Sequence, residues 1–260
     1  MKVIINHLTR MLSGYICAAG VDVETKQHVR LCASRGHLRP ELLTANGGFL
    51  QMAAILELGP AKHTGQRPEV EDHEFDLKSV KHLGTLAPNR FWNMLTQMAR
   101  PNLTGVFGSD LVQRGPASCG VDVGKGTASL GCLAQTKQPT LYLRPRPERP
   151  QIRMKFSDGA FTVDVSVTDI RLYGADHITP DAKKVEAVAG RLRGESAILS
   201  VGLTRPYAPS DESPPLHWLQ VNNVHFEPRS RHSRSQVQLG NESDFGTRAN
   251  EGQSNGSHKE

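Results

Sequence analysis

Between Ile152 and Val167 the apolar residues alternate on both sides of a short polar turn. Ile152, Met154 and Phe156 lead into Ser157-Asp158-Gly159, and Phe161, Val163, Val165 and Val167 lead out of it. This is the pattern of a β-hairpin with one buried face, and no helix carries a period of two. The alternation resumes in the opposite phase at Ile170 and Leu172, which predicts a β-bulge and a strand that bends. Thr179-Pro180-Asp181 then predicts a helix start, with Thr179 as N-cap, proline at the first helical position and an acid facing the dipole. Val185, Val188, Ala189 and Leu192 form its buried stripe and Gly194 its stop. Two strands follow, over 197–203 and 217–226.

With a further strand near 139–144, the order is strands, helix, two strands. A five-stranded Greek-key barrel of OB type requires this order. An SH3-like barrel and an open α+β sheet satisfy it as well. The amino-terminal part also reads as β: strands at Lys2–Asn6, Tyr15–Val23, His28–Ala33 and Ala53–Leu58, the last broken by Gly59-Pro60. Residues 69–108 change texture, from an acidic run to a helix over 88–99 in which Phe91, Leu95 and Met98 share a face; they predict a helical insertion over the first sheet. The expected fold class is therefore mainly β with a few helices, in two OB-like barrels over 1–138 and 139–228. Residues 229–260 are Ser, Arg, Asn, Gly, Gln and Glu with a single aromatic, Phe245, and predict a disordered polar tail because they hold nothing to offset the entropy of ordering.

Composition excludes more than it selects. The first twenty residues interrupt their apolar stretch with His7, Arg10 and Gly14, so they offer neither a signal-peptide core nor a membrane span, and a cytoplasmic setting is expected. Cys17, Cys32, Cys119 and Cys132 include no CxxC pair and read as small buried hydrophobes rather than metal or redox groups. The formal charge of +5 favours an anionic partner and serves solubility equally well.

Several stretches together resemble the bacterial dual OB-containing domain family. They are His7-Leu8-Thr9-Arg10 with Gly14-Tyr15-Ile16-Cys17, then Ser129-Leu130-Gly131-Cys132-Leu133, 166–173 (SVTDIRLY), 200–206 (SVGLTRP) and 217–225 (HWLQVNNVH). The resemblance extends to about Glu227 and implies two OB-like barrels and a nucleic-acid role in bacterial conflict or defence, with no catalytic residues. Ala87-Pro88 departs from it, where a Ser or Thr cap is expected.

Binding single-stranded nucleic acid needs a basic groove with planar side chains on which bases stack. Arg144, Arg146, Arg149, Arg153 and Lys155 are interrupted only by Glu148, and Arg171, Arg205, Tyr207 and Trp218 lie on or beside strands of the same half. The expected contact residues are Arg10, Arg30, Arg153, Lys155, Arg171, Arg205, Tyr207 and Trp218. The arginines also have structural partners within reach of the pattern, in Asp22, Asp122 and Asp169.

The enzyme alternative is a metal-dependent nuclease built on Glu69, Glu71, Asp72, His73 and Glu74, against which a solvated acidic loop is the plainer reading. His217 and His225 stand eight residues apart, roughly 26 Å along a strand at about 3.3 Å per residue, so they cannot share a metal. Gly120–Thr127 lacks the spacing of a phosphate loop. No cofactor is expected. A scaffold that binds a protein partner is the third possibility.

Overall fold

In the computed structural model, which describes residues 1–11, 14–134 and 138–229, the first sheet grows from a meander. Its strands are β1 (Lys2–Arg10), β2 (Ile16–Asp22) and β3 (His28–Ala33). After two 3-10 turns come β4 (Ala54–Glu57), β5 (Ala61–His63), β6 (Asp72–Phe75) and β7 (Lys81–Thr85). The sheet order is β5-β6-β3-β2-β1-β4-β7. β4 pairs with the start of β1 and β5 pairs with β6, while β4 and β5 are one run of chain bent at Gly59. That glycine has φ +68°, and a Cβ there would meet Ser79 at 2.8 Å, so the bend tolerates no side chain. The sheet therefore curls, with its third strand meeting β6 in parallel, as strands three and five of an OB barrel do.

The segment expected to be a helical insertion over 69–108 is helical only in its second half. Residues 72–75 and 81–85 are strands of the first sheet, and α1 (Pro88–Met98) and α2 (Leu103–Phe107) follow. The acidic run is deceptive because Glu69, Glu71 and Asp72 are buried against partners, and only Glu74 is exposed. α1 begins at Pro88 without a side-chain cap from Ala87, and its fully buried Leu95 packs on Cys132 and Ile198.

The second half comprises β8 (Val112–Gln113), β9 (Cys119–Asp122), β10 (Leu130–Ala134), β11 (Thr140–Arg144), β12 (Gln151–Ser157), β13 (Thr162–Ser166), α3 (Ala182–Leu192), β14 (Ala197–Leu203) and β15 (Leu216–Phe226). β11-β12-β13 form one sheet and β10-β14-β15-β9-β8 another. Val167 bridges Val221 in parallel, which joins the two sheets at β13 and β15. One core serves both, from Leu103 and Phe107 through Met154 and Val163 to Val224. Residues 103–134 belong to the second core, and the first core closes with Phe75 apart from a contribution by Ile170.

Two local expectations change for the same reason, a short acid that caps. Ile170–Leu172 is a 3-10 turn capped by Asp169, so the phase slip marks the end of the strand rather than a bulge within it. α3 is capped by Asp181, which accepts from the backbone of Lys183 and Lys184, while Thr179 donates instead to Asp176 at 2.6 Å. The tail expected over 229–260 lies, from residue 230 on, outside the described residues.

Candidate nucleic-acid interface

β1 lies between the two cores. β4 covers it only as far as Ile4, so the backbone beyond must find other partners, since an unpaired buried amide costs about as much as a lost hydrogen bond. The second half supplies them. Asn223 accepts from Leu8 N at 2.8 Å and donates to Leu8 O at 3.0 Å. Ser200 donates to Asn6 O at 2.9 Å, and Arg10 N donates to Thr168 O. Ser200 also meets the Nε2 of His225 at 2.9 Å, and burial holds that imidazole down to about 3, hence neutral. Two adjacent asparagines inside a strand, in HWLQVNNVH, were the sequence signal for this junction.

The cations expected at the interface fall into two groups. Arg30 is 6% exposed, pairs with Asp72 at 2.8 Å and donates to Ser129 Oγ at 2.7 Å. Arg205 spans Glu69 and Asp72 at 3.2 and 2.5 Å. Arg171 forks onto the buried Asp169 and reaches Val224 O. Arg10 lies 5.1 Å over the ring of Tyr173. These four hold the junction and its surroundings: carboxylates engage the guanidinium groups of Arg30, Arg171 and Arg205, and Arg10 stacks on Tyr173. Three carboxylates of the nuclease alternative, Glu69, Glu71 and Asp72, are engaged too. Glu71 accepts from Ser129 N, Ser129 Oγ and Leu130 N at 2.8, 2.7 and 3.1 Å. Glu69 lies 3.3 Å from His217 Nδ1.

Arg153, Lys155, Tyr207 and Trp218 stay at the surface of the second half. Along β12 the odd residues face outward, and Lys155 is exposed. Arg153 and Arg144 both pair with Asp164 on β13, and Tyr142 donates to the same carboxylate at 2.6 Å. Burial opposes charge on Asp164, but the Tyr142 hydroxyl and the two guanidinium groups overcome it and hold its carboxyl below the usual range. The turn 145–150 between β11 and β12 carries Arg146, exposed, and Arg149; neither forms an ion pair among the described residues. On the loop 204–215 Tyr207 is 52% exposed. Its ring centroid is 6.2 Å from that of Trp218, whose Nε1 donates to Tyr207 O at 3.1 Å, so the indole fixes the loop that presents the phenol.

A cleft of about 1010 Å³ opens between the first sheet, α1, α2 and β10; His28, Arg90, Arg100 and Cys132 are among its lining residues. At its floor burial lowers the imidazole of His28 to about 4 and raises the thiol of Cys132 to about 11. His7 behind them is also held neutral, by burial first and by the neighbouring His28 second. Separations of 21 and 104 residues along the chain kept this cluster out of any sequence motif.

A curled seven-stranded sheet, and a second half of two sheets bridged at Val167 and Val221, joined to it through buried polar contacts, define a mainly β protein with a tandem arrangement. The chain belongs to the dual OB-containing domain family, whose model matches residues 1–224. No curated protein and no solved structure matches it. Among the described residues no helix is long and apolar enough to cross a membrane.

Proposed function

We propose that the chain binds single-stranded nucleic acid without turnover, on the outer face of β12 and β13. The observation that carries this reading is the placement of Arg146, Arg149 and Lys155, which form no ion pair among the described residues, with Arg153, held by Asp164, and the exposed ring of Tyr207. Counting β11 to β15 around α3 as the five strands of an OB barrel, 145–150 is the loop between strands one and two, and 204–215 the loop between four and five. These are the loops, with the face of strands two and three, on which OB folds take oligonucleotides. The first bears Arg146 and Arg149, the second Tyr207, and the face between bears Arg153 and Lys155. A cationic track with a ring for stacking is what a single strand requires. The cytoplasmic setting and a place in bacterial defence belong to the same proposal.

Fluorescence-anisotropy titration of labelled single-stranded DNA and RNA across a salt series tests it. Affinity is expected to fall with salt, and Arg146→Ala and Arg149→Ala each to reduce the log-log slope by about 0.7, the value for one phosphate contact on a single strand. Tyr207→Ala is expected to weaken binding by about 1–3 kcal/mol. No binding at low salt overturns the proposal in favour of a protein-binding scaffold.

A further inference from the structure

The floor of the cleft brings together three residues from three strands of both halves. One ring nitrogen each of His7 on β1 and His28 on β3, and the Sγ of Cys132 on β10, all lie within 4.8 Å of one another. The Sγ of Cys132 is 3.9 Å from His28 Nε2. A tetrahedral zinc ion with Zn–N near 2.0 Å and Zn–S near 2.3 Å sets its donors about 3.3–3.6 Å apart, so contraction by a few tenths of an ångström to about an ångström closes the set.

Two orphaned atoms point to a missing ligand. His7 is 2% exposed, and its Nδ1 meets the amide of Asn222 at 3.0 Å. Its Nε2 is buried and has no hydrogen-bond partner among the described residues. Asn6 is fully buried, with its Oδ1 in the same condition, while its Nδ2 lies 3.3 Å from His28 Nε2 and 3.5 Å from Cys132 Sγ. Native interiors leave few such atoms, and a cluster of them beside a thiol and two imidazoles calls for a common partner.

We propose that His7, His28 and Cys132 bind a zinc ion, with the amide of Asn6 completing the shell. Imidazole nitrogen with thiolate sulfur is a donor set suited to zinc and too soft for magnesium or calcium. Binding displaces the thiol proton to solvent and leaves the sulfur as thiolate. Turning the Asn6 amide end for end places Oδ1 where Nδ2 now meets the other two ligands. The same turn at Asn222, with the Gln220 amide that now donates to Asn222 Oδ1 turned likewise to accept from Nδ2, gives His7 Nδ1–H an acceptor and directs the lone pair of Nε2 to the metal, the outer-shell arrangement that ligating histidines use. The ion then ties β1 and β3 of the first sheet to β10 of the second.

Cobalt(II) titration of the full, metal-stripped chain reads the site directly, alongside zinc uptake by equilibrium dialysis. One equivalent of cobalt is expected to give a thiolate-to-metal charge-transfer band with the intense visible bands of a tetrahedral centre, and one equivalent of zinc to abolish both. Zinc is also expected to raise the unfolding temperature. Cys132→Ser is expected to lose the charge-transfer band and His28→Asn to lose stoichiometric binding, whereas Cys17→Ser and Cys32→Ser keep both. His28 lines the open cleft, so its variant serves where Cys132→Ser fails to fold. Absence of stoichiometric binding, or bands that survive in His28→Asn and Cys132→Ser, overturns the proposal.

Discussion

Replacing Glu71 by alanine is expected to destabilise the protein by about 3–5 kcal/mol, read as a fall in the urea midpoint at unchanged slope. Its carboxylate accepts from Ser129 N, from Leu130 N and from the Ser129 hydroxyl. Ser129 is fully buried, so water cannot replace these bonds, and each abandoned donor carries its full desolvation cost. Glu71→Gln is expected to recover only part of the loss, because the amide presents one acceptor oxygen and turns a donor towards donors. The nuclease reading makes the opposite prediction: a stable variant that has lost metal-dependent turnover. Unfolding curves for the pair of variants separate the two.

Asp169→Ala is expected to cost about 2–4 kcal/mol by the same measurement. The side chain is 2% exposed and accepts from Val224 N, from Arg171 N and from two nitrogens of the Arg171 guanidinium. The exposed edge of that guanidinium keeps the figure below that of a fully buried pair, since water reaches the abandoned cation. Burial opposes charge on Asp169, but the Arg171 fork and the Val224 amide overcome it and hold the carboxyl below its ordinary value. A depressed carboxyl stabilises the folded state above its unfolded value of about 3.9 and ceases to do so as pH falls through the folded one. Acidification below about pH 4 is therefore expected to narrow the gap between wild type and Asp169→Ala. The neutral His225 contributes an acid loss of its own, beginning nearer pH 6.5 as the unfolded chain gains a proton.

The parts of the fold governed by local periodicity were legible. The hairpin 151–166, α3 with its stripe and the last two strands appear where alternation and the 3.6 period placed them. Features governed by partners distant in sequence were not. The run at 69–74 reads as a charged loop because nothing nearby reveals Arg30, Ser129 and Arg205, each of which engages one of its carboxylates from another strand. The place of β9 and β10 is not legible in the sequence because their partners β15 and β14 come more than sixty residues later. Of the six expected contact cations, five are engaged within the chain: Arg30, Arg153, Arg171 and Arg205 by carboxylates and Arg10 by the Tyr173 ring. A guanidinium that completes a buried carboxylate is, in one dimension, indistinguishable from one that awaits a phosphate. The residues that make the family resemblance, Asn222, Asn223, Ser200 and His7 among them, are largely those that join β1 to the second half.

The face formed by β12, β13 and their bordering loops is the central claim. Photochemical cross-linking of a single-stranded oligonucleotide to the full chain, followed by peptide mapping, tests it most directly. Cross-links are expected within 145–157 and at Tyr207 or Trp218. Cross-links confined to the first sheet or to the cleft under α1 would contradict the account.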